Sequence, residues 1–206
     1  MIKIENILVY GWEAAIHGMR NPMNSWDKSD TLFDGNKWCL GDHDFELMKK
    51  LCKAGTDHRK FMRMINVTCD ITAPLYWWKE FDTYKVGTVA NSCSTMHKIH
   101  DKAFTMDDFS FDKLKPFASN LMEKVIVLLN DYREEYLQTK DKDSWWQMIQ
   151  MLPSSYNQKR TVQLNYEVLA NMYKSRKNHK LDEWKDFCNL IEELPYSELI
   201  VGVFND

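Results

Sequence analysis

The sequence predicts an α+β fold in a single domain covering residues 1–206, with few strands and about five or six helices. Three observations predict it. Residues 2–10 alternate Ile2 and Ile4 with Lys3 and Glu5 before an apolar end, and residues 65–71 are rich in β-branched side chains. Several longer segments repeat apolar residues at helical spacing. The chain has 206 residues, enough to bury a sizeable core, and its 5 Pro and 7 Gly leave little room for flexible linkers.

Composition narrows the function classes. Hydrophobic residues make up 44% and charged residues 28%, an ordinary globular balance. Aromatic content is high at 13%, with 8 Trp, as fits subunit interfaces. A formal net charge of −3 is too near balance to point to nucleic acid or an acidic membrane, and neither is expected as partner. No apolar run approaches the roughly 20 residues that span a bilayer. The N-terminus lacks a basic start followed by a long apolar stretch, so no signal peptide is expected. Cys39, Cys52, Cys69, Cys93 and Cys188 are odd in number and have no CxxC spacing. That pattern favours reduced thiols and a cytoplasmic protein.

The elements follow in order. Residues 2–10 form a strand, ended by Gly11, and residues 12–19 a helix that stops before Pro22. Residues 21–40 read as a long ordered loop, rich in Asn, Asp, Ser and Gly, with Trp26, Phe33 and Trp38 pinning it to the body. Residues 42–54 form a helix capped by Asp42 or Asp44, with Phe45, Met48 and Leu51 or Cys52 inward and Gly55 closing it. Residues 58–64 are basic and sulfur-rich and suit a short helix before the strand at 65–71. Residues 75–82 form one short helix after Pro74, and a polar loop follows Gly87. Residues 105–115 form a loop with a capped turn. The longest helix runs from 117 to 139, with Leu121, Val125, Leu128, Tyr132 and Tyr136 on one stripe. Residues 140–143 form a solvated turn, and residues 144–152 a helix ended by Pro153. Residues 161–176 read as a helix carrying Asn165 and Asn171. Residues 181–194 form the last, with Trp184, Phe187, Cys188, Ile191 and Leu194 inward, and residues 199–204 form a short apolar strand.

Residues 71–97, ITAPLYWWKEFDTYKVGTVANSCSTMH, gather two adjacent tryptophans and a run of amide and hydroxyl side chains. On composition alone this is a core helix followed by a polar turn. Cys93, His97 and His100 share a helix-compatible spacing, but they lack a fourth ligand and no metal is expected.

The order of residues here resembles the signature of flavin-dependent thymidylate synthases. In that family a strand ends in Ala-Pro, followed by Arg-Gln plus an aromatic, then Arg-His-Arg, a Ser, and Asn-Glu-x-Ser-x-Arg. Ala73-Pro74 stands as in the family, and Lys79-Glu80-Phe81 sits at Arg-Gln-aromatic. Thr83-Tyr84-Lys85 takes the Arg-His-Arg place, Thr88 the Ser place, and residues 91–96 the last block after one extra residue. Asn91 and Ser94 match outright, and Lys79, Lys85 and Thr88 match in character. Glu80, Thr83, Tyr84, Ser92 and Met96 depart. Upstream, His58 matches the first His of a family block, while Arg63 and Met64 replace its Glu-His pair; the family also places a basic and a hydroxyl site residue near Arg20 and Ser25. Downstream, Leu152-Pro153, Asn165, Asn171 and Arg176 fall at matching intervals, and residues 180–195 resemble the family's final helix. The three blocks cover about residues 55 to 195.

The resemblance implies an antiparallel sheet flanked by helices, as in thymidylate synthase-complementing proteins, and a homotetramer whose active sites are shared between subunits. It implies FAD as cofactor and a pyrimidine nucleotide or nucleoside as partner. By resemblance His58, Lys85, Asn91, Asn165, Asn171 and Arg176 contact flavin, and Ser92, Ser94 and Arg176 lie near the nucleotide. Glu80, Tyr84 and Lys85 are the candidates for chemistry. Tyr84 can stack on a ring, Lys85 can offset charge, and Glu80 can bond a base edge or move a proton. The departures weaken the family's anion grip, because Met96 cannot replace a planar Arg on phosphate. Two readings follow. One is a flavin-dependent methyltransferase-like enzyme acting on a pyrimidine or related heterocycle, with an altered active site. The other is an inactive scaffold that binds a nucleotide or a protein.

Overall fold

A computed structural model describes residues 2–35 and 37–204. Its elements are β1 (Lys3–Tyr10), α1 (Trp12–Arg20), β2 (Leu32–Asp34), β3 (Lys37–Cys39), α2 (Asp42–Lys53), β4 (Asn66–Pro74) and α3 (Leu75–Phe81). Then come β5 (Val89–Ser92), α4 (Pro116–Thr139), α5 (Lys142–Met151), β6 (Asn157–Asn165), α6 (Tyr166–Arg176), α7 (Asp182–Glu193) and α8 (Glu198–Val201). Four strands pair in the order β1-β4-β6-β5, an antiparallel sheet flanked by helices, and β2 pairs with β3 as a hairpin. No helix among the described residues is long and apolar enough to cross a membrane.

Contacts divide the chain into two compact units. The first takes residues 2–4, Asp70–Thr83 and Ala90–Thr161. Its apolar centre is Ile99, Phe104, Phe109, Met122, Ile126, Leu129 and Met148, where α4 lies against α5. Trp77, Trp78 and Phe81 of α3 are buried and meet edge to face or tilted, with centroids 4.9–5.2 Å apart. Because Pro74 ends β4 in extended backbone, α3 starts at once, and Leu75 N–H donates to the Tyr156 carbonyl at 3.0 Å.

The second unit takes Glu5–Cys69, Tyr84–Val89 and residues 162–204. Here α6 packs on α7 and α8, and α2 on α8. Trp184, Phe187, Cys188, Ile191 and Leu194 are all buried, so the inner stripe read for α7 is the one found. Trp38 stacks on Trp12 at 5.0 Å, Phe33 lies on Trp38, and Trp26 lies on His17, so all three loop aromatics hold their segment down. Gly11 sits at φ 95, where a Cβ would meet the Met64 carbonyl oxygen at 2.1 Å. Only glycine fits that bend between β1 and α1.

Several elements differ from the sequence reading. The loop at 21–40 contains the β2–β3 hairpin, whose three-residue strands are too short to show alternation. The start of α2 is capped by neither Asp42 nor Asp44. Asp30 accepts from the N–H groups of His43 and Asp44 at 2.9 and 3.0 Å, a cap supplied from distant sequence. The buried stripe of α4 is Met122, Ile126 and Leu129, while Leu121 and Leu128 face outward. Apolar residues surround much of this helix, so hydrophobicity alone does not set its phase. Residues 140–143 are not all turn, since α5 begins at Lys142 behind an Asp141 cap. The predicted helix at 161–176 is a strand that becomes a helix at Tyr166. Val162 and Leu164 point inward with period two, and β6 ends where Asn165 caps α6. The polar loop after Gly87 contains β5. The tail at 199–204 is helical, because Leu199 and Ile200 reach the core from a single turn.

The five cysteines are free. Cys39 and Cys93 are exposed, and Cys52, Cys69 and Cys188 are buried. Burial pushes the Cys52 thiol up to about 12 and the Cys188 thiol up to about 11.

Candidate functional site

In the second unit, the side chains of Tyr84, Arg176 and Trp184 meet. Arg176 closes α6 and is half-buried. Its Nε donates to the Tyr84 hydroxyl at 2.9 Å. Its guanidinium lies over the Trp184 ring at 4.7 Å and near the Tyr84 ring at 5.4 Å. The Tyr84 and Trp184 rings stand edge to face at 6.1 Å, and the His179 ring meets Trp184 at 6.3 Å. Trp184 is fully buried on α7, so it gives the guanidinium a fixed face. A planar cation held this way keeps the orientation that bidentate anion contact requires.

Local sequence explains the position of Tyr84. Thr88 Oγ1 donates to the Tyr84 carbonyl and closes the turn. Gly87, at φ 73, sits where a Cβ would lie 3.0 Å from Asn165 Nδ2 and from Val168 Cγ2. The missing side chain lets this turn press onto the start of α6. Asn165 there accepts from the Val168 N–H at 3.0 Å, so its oxygen caps the helix. Lys85 follows Tyr84 and is exposed, as are His58 and Asn171.

The remaining expected residues belong to the first unit. Glu80 is half-buried on α3, and its carbonyl accepts from Thr83 Oγ1 at 2.7 Å. Asn91 and Ser92 are exposed on β5. Ser94 is half-buried, and its hydroxyl accepts the His97 N–H at 3.0 Å, which makes it a turn former. Among the described residues, no three His, Cys, Asp or Glu side chains gather closely enough to hold a metal ion.

The structure adds residues that the sequence reading passed over. In the first unit the Arg160 guanidinium stacks on Trp78 at 4.2 Å. It also donates to Gln158 Oε1 at 2.9 Å and to Asp82 at 2.7 Å. Gln158 in turn donates to the Cys93 carbonyl at 2.9 Å, tying β6 to the end of β5. Reading residues 161–176 as helix hid the strand that presents Arg160. In the second unit Arg59 and Glu167 form a buried two-bond pair at 2.8 and 3.0 Å. Arg20 is also buried, bound to Asp44 at 2.7 Å and to the Ser25 carbonyl at 3.1 Å. Arg20 and Ser25 therefore hold the loop together. Spacing gives no signal for pairs this far apart in sequence.

No protein-family model matches this chain, and no curated protein matches its sequence. Solved structures do match. Thymidylate synthase X from Helicobacter pylori, with FAD and dUMP, aligns at a TM-score of 0.72 and 16% identity, over 100% of both chains. A flavin-dependent thymidylate synthase from the same organism, also complexed with FAD and dUMP, aligns at 0.71 and 16%, over 98% of this chain and 100% of that one. The fold is thus that of the flavin-dependent thymidylate synthase structures, the one expected from the three motif blocks. At this identity the likeness is one of fold.

Proposed function

We propose that this chain is a flavin-dependent thymidylate synthase-like protein that binds FAD and a pyrimidine nucleotide or related heterocycle. The observation that supports this most is the Arg176 guanidinium, lying over Trp184 and bonded to Tyr84 at the end of α6. The solved structures of the same fold carry FAD and dUMP, whose phosphates need such a cation. The residues suit the group in kind. Lys85 and His58 are exposed donors in the same unit as Arg176, and Asn171 adds an exposed amide. Bound flavin would supply two-electron redox chemistry. In this proposal Lys85 and Arg176 hold charge on cofactor or nucleotide, Tyr84 fixes Arg176, and Glu80 accepts a proton or a base-edge hydrogen bond. By the resemblance Asn91 serves the flavin and Ser92 and Ser94 the nucleotide, and the protein works as a cytoplasmic homotetramer.

The test is the visible spectrum of purified protein after addition of FAD and desalting. Retained flavin bands, lost in Arg176→Ala and kept in part in Arg176→Lys, are the expected result. Wild-type protein that releases all its FAD overturns the proposal.

A second reading is favoured by the spending of Arg176 Nε on Tyr84 and by Ser92 and Met96 standing in place of charged residues. In that reading the scaffold binds its ligand without turnover. Retained flavin with no methylation or reduction of deoxyuridylate in the presence of methylenetetrahydrofolate and a chemical or nicotinamide reductant for the flavin supports it.

A further inference from the structure

Between the turn at residues 96–100, the end of α4 and the start of α5 lies a concavity of about 320 Å³, wholly within the first unit. Its lining includes His97, His100, Lys140 and Lys142, two half-buried aromatic rings, Tyr136 and Trp145, and no carboxylate. Four nitrogen-bearing side chains therefore face one space with no anion among them.

The arrangement has defined parts. The His100 ring stands edge to face on Tyr136 at 4.9 Å. His100 Nδ1 is enclosed and has no hydrogen-bond partner among the described residues. Lys140 Nζ lies 5.4 Å from the Tyr136 ring centroid. Trp145 is held in place by donation from its Nε1 to the Met96 carbonyl at 3.2 Å. Asp101 is paired with Lys98 at 3.0 Å and lies 3.7 Å from His100 Nε2. The start of α5 is already capped, because Asp141 accepts the Ser144 N–H. Anion recognition here falls to side chains rather than to the helix end.

We propose that this pocket binds a small aromatic phosphate monoester. Lys140 and Lys142 grip the phosphate, His97 donates to it, and Tyr136 and Trp145 receive the ring. Lysine is a point-charge donor to phosphate, and aromatic walls favour a flat apolar group. The volume suits a molecule of that size. The inference stands without flavin, since none of these side chains belongs to the Arg176 site.

Calorimetric titration with phenyl phosphate tests it, with inorganic phosphate and phenol as separate arms. One phenyl phosphate per chain is expected, bound more tightly than either half. Lys140→Asn with Lys142→Gln should weaken it by about ten-fold or more. Asn suits position 140, where φ is 58. The control Lys53→Gln with Lys60→Gln removes the same charge from exposed sites in the second unit and should leave affinity nearly unchanged. Trp145→Leu should weaken phenyl phosphate and not inorganic phosphate. Absence of phenyl phosphate binding overturns the proposal. So does an equal loss in the control, or equal affinity for inorganic phosphate.

Discussion

Arg59 and Glu167 are 6% and 9% exposed, so the two charges are buried together. Removing Arg59 takes away the two bonds that the buried Glu167 carboxylate accepts from it. Arg59→Met should therefore cost about 3–5 kcal/mol, and Arg59→Met with Glu167→Leu should recover most of it. Urea unfolding of the two variants checks this. Asp44 makes a second such case. Burial raises its carboxyl, but hydrogen bonds from Thr31, Ser29 and Arg20 together outweigh burial and hold it below the ordinary carboxylate value. Its folded-state value is thus depressed. The stability it confers is whole above the unfolded value and fades as pH falls through the folded one. Urea midpoints measured between about pH 2 and pH 5 should decline in the wild type, and Asp44→Asn should flatten that slope. Residue-scale facts of this kind were the least legible in the sequence. Arg20 drew notice for its type, yet nothing along the chain joins it to Asp44. Tyr84 and Arg176 were both singled out, but their hydrogen bond depends on Gly87 and the start of α6, which a helix read from 161 concealed.

Elements were legible where one period dominated. The stripes of α2 and α7 and the abrupt start of α3 after Pro74 fall where apolar spacing and proline chemistry put them. The reading failed where periods changed within a few residues. Residues 157–165 alternate Val162 and Leu164 inward, but the helical pattern from Tyr166 onward absorbed them. Asn165 sits at that change. Asn165→Ala should cost about 1 kcal/mol through the lost cap, while Asn165→Asp keeps it. If Asn165 only caps, flavin retention in both variants will track thermal stability; loss of flavin in the stable Asp variant would give it a ligand role. The bend at Gly11 makes a sharper case. Gly11→Ala puts a Cβ against the Met64 carbonyl at positive φ, and about 1–3 kcal/mol of destabilisation is expected in thermal unfolding.

At the scale of the whole molecule, two chains 16% identical share one fold across their full length. The order of the three blocks points to this fold although several of their charged positions hold other residues, so the likeness reaches the fold and leaves the chemistry open. The exposed face of α4 bears on assembly. Phe117 is 84% exposed and Leu121 55%, more apolar surface than a lone helix face needs. If the chain is a homotetramer that uses this face, light scattering should give four times the 24.5 kDa chain mass. Phe117→Lys with Leu121→Lys should then lower the measured mass while circular dichroism stays unchanged.

The distribution of thiols offers a last consequence. Cys39 and Cys93 meet solvent, whereas the Cys52 thiol is enclosed and strongly disfavoured as a thiolate. A maleimide dye will therefore tag the exposed pair first. In a Cys39→Ser background the tag sits at Cys93, on the segment leading to His97, where its emission can report an occupant of the neighbouring pocket. Slow alkylation of Cys52 serves another purpose. Each event requires the surrounding structure to part, so its rate counts how often the native protein opens.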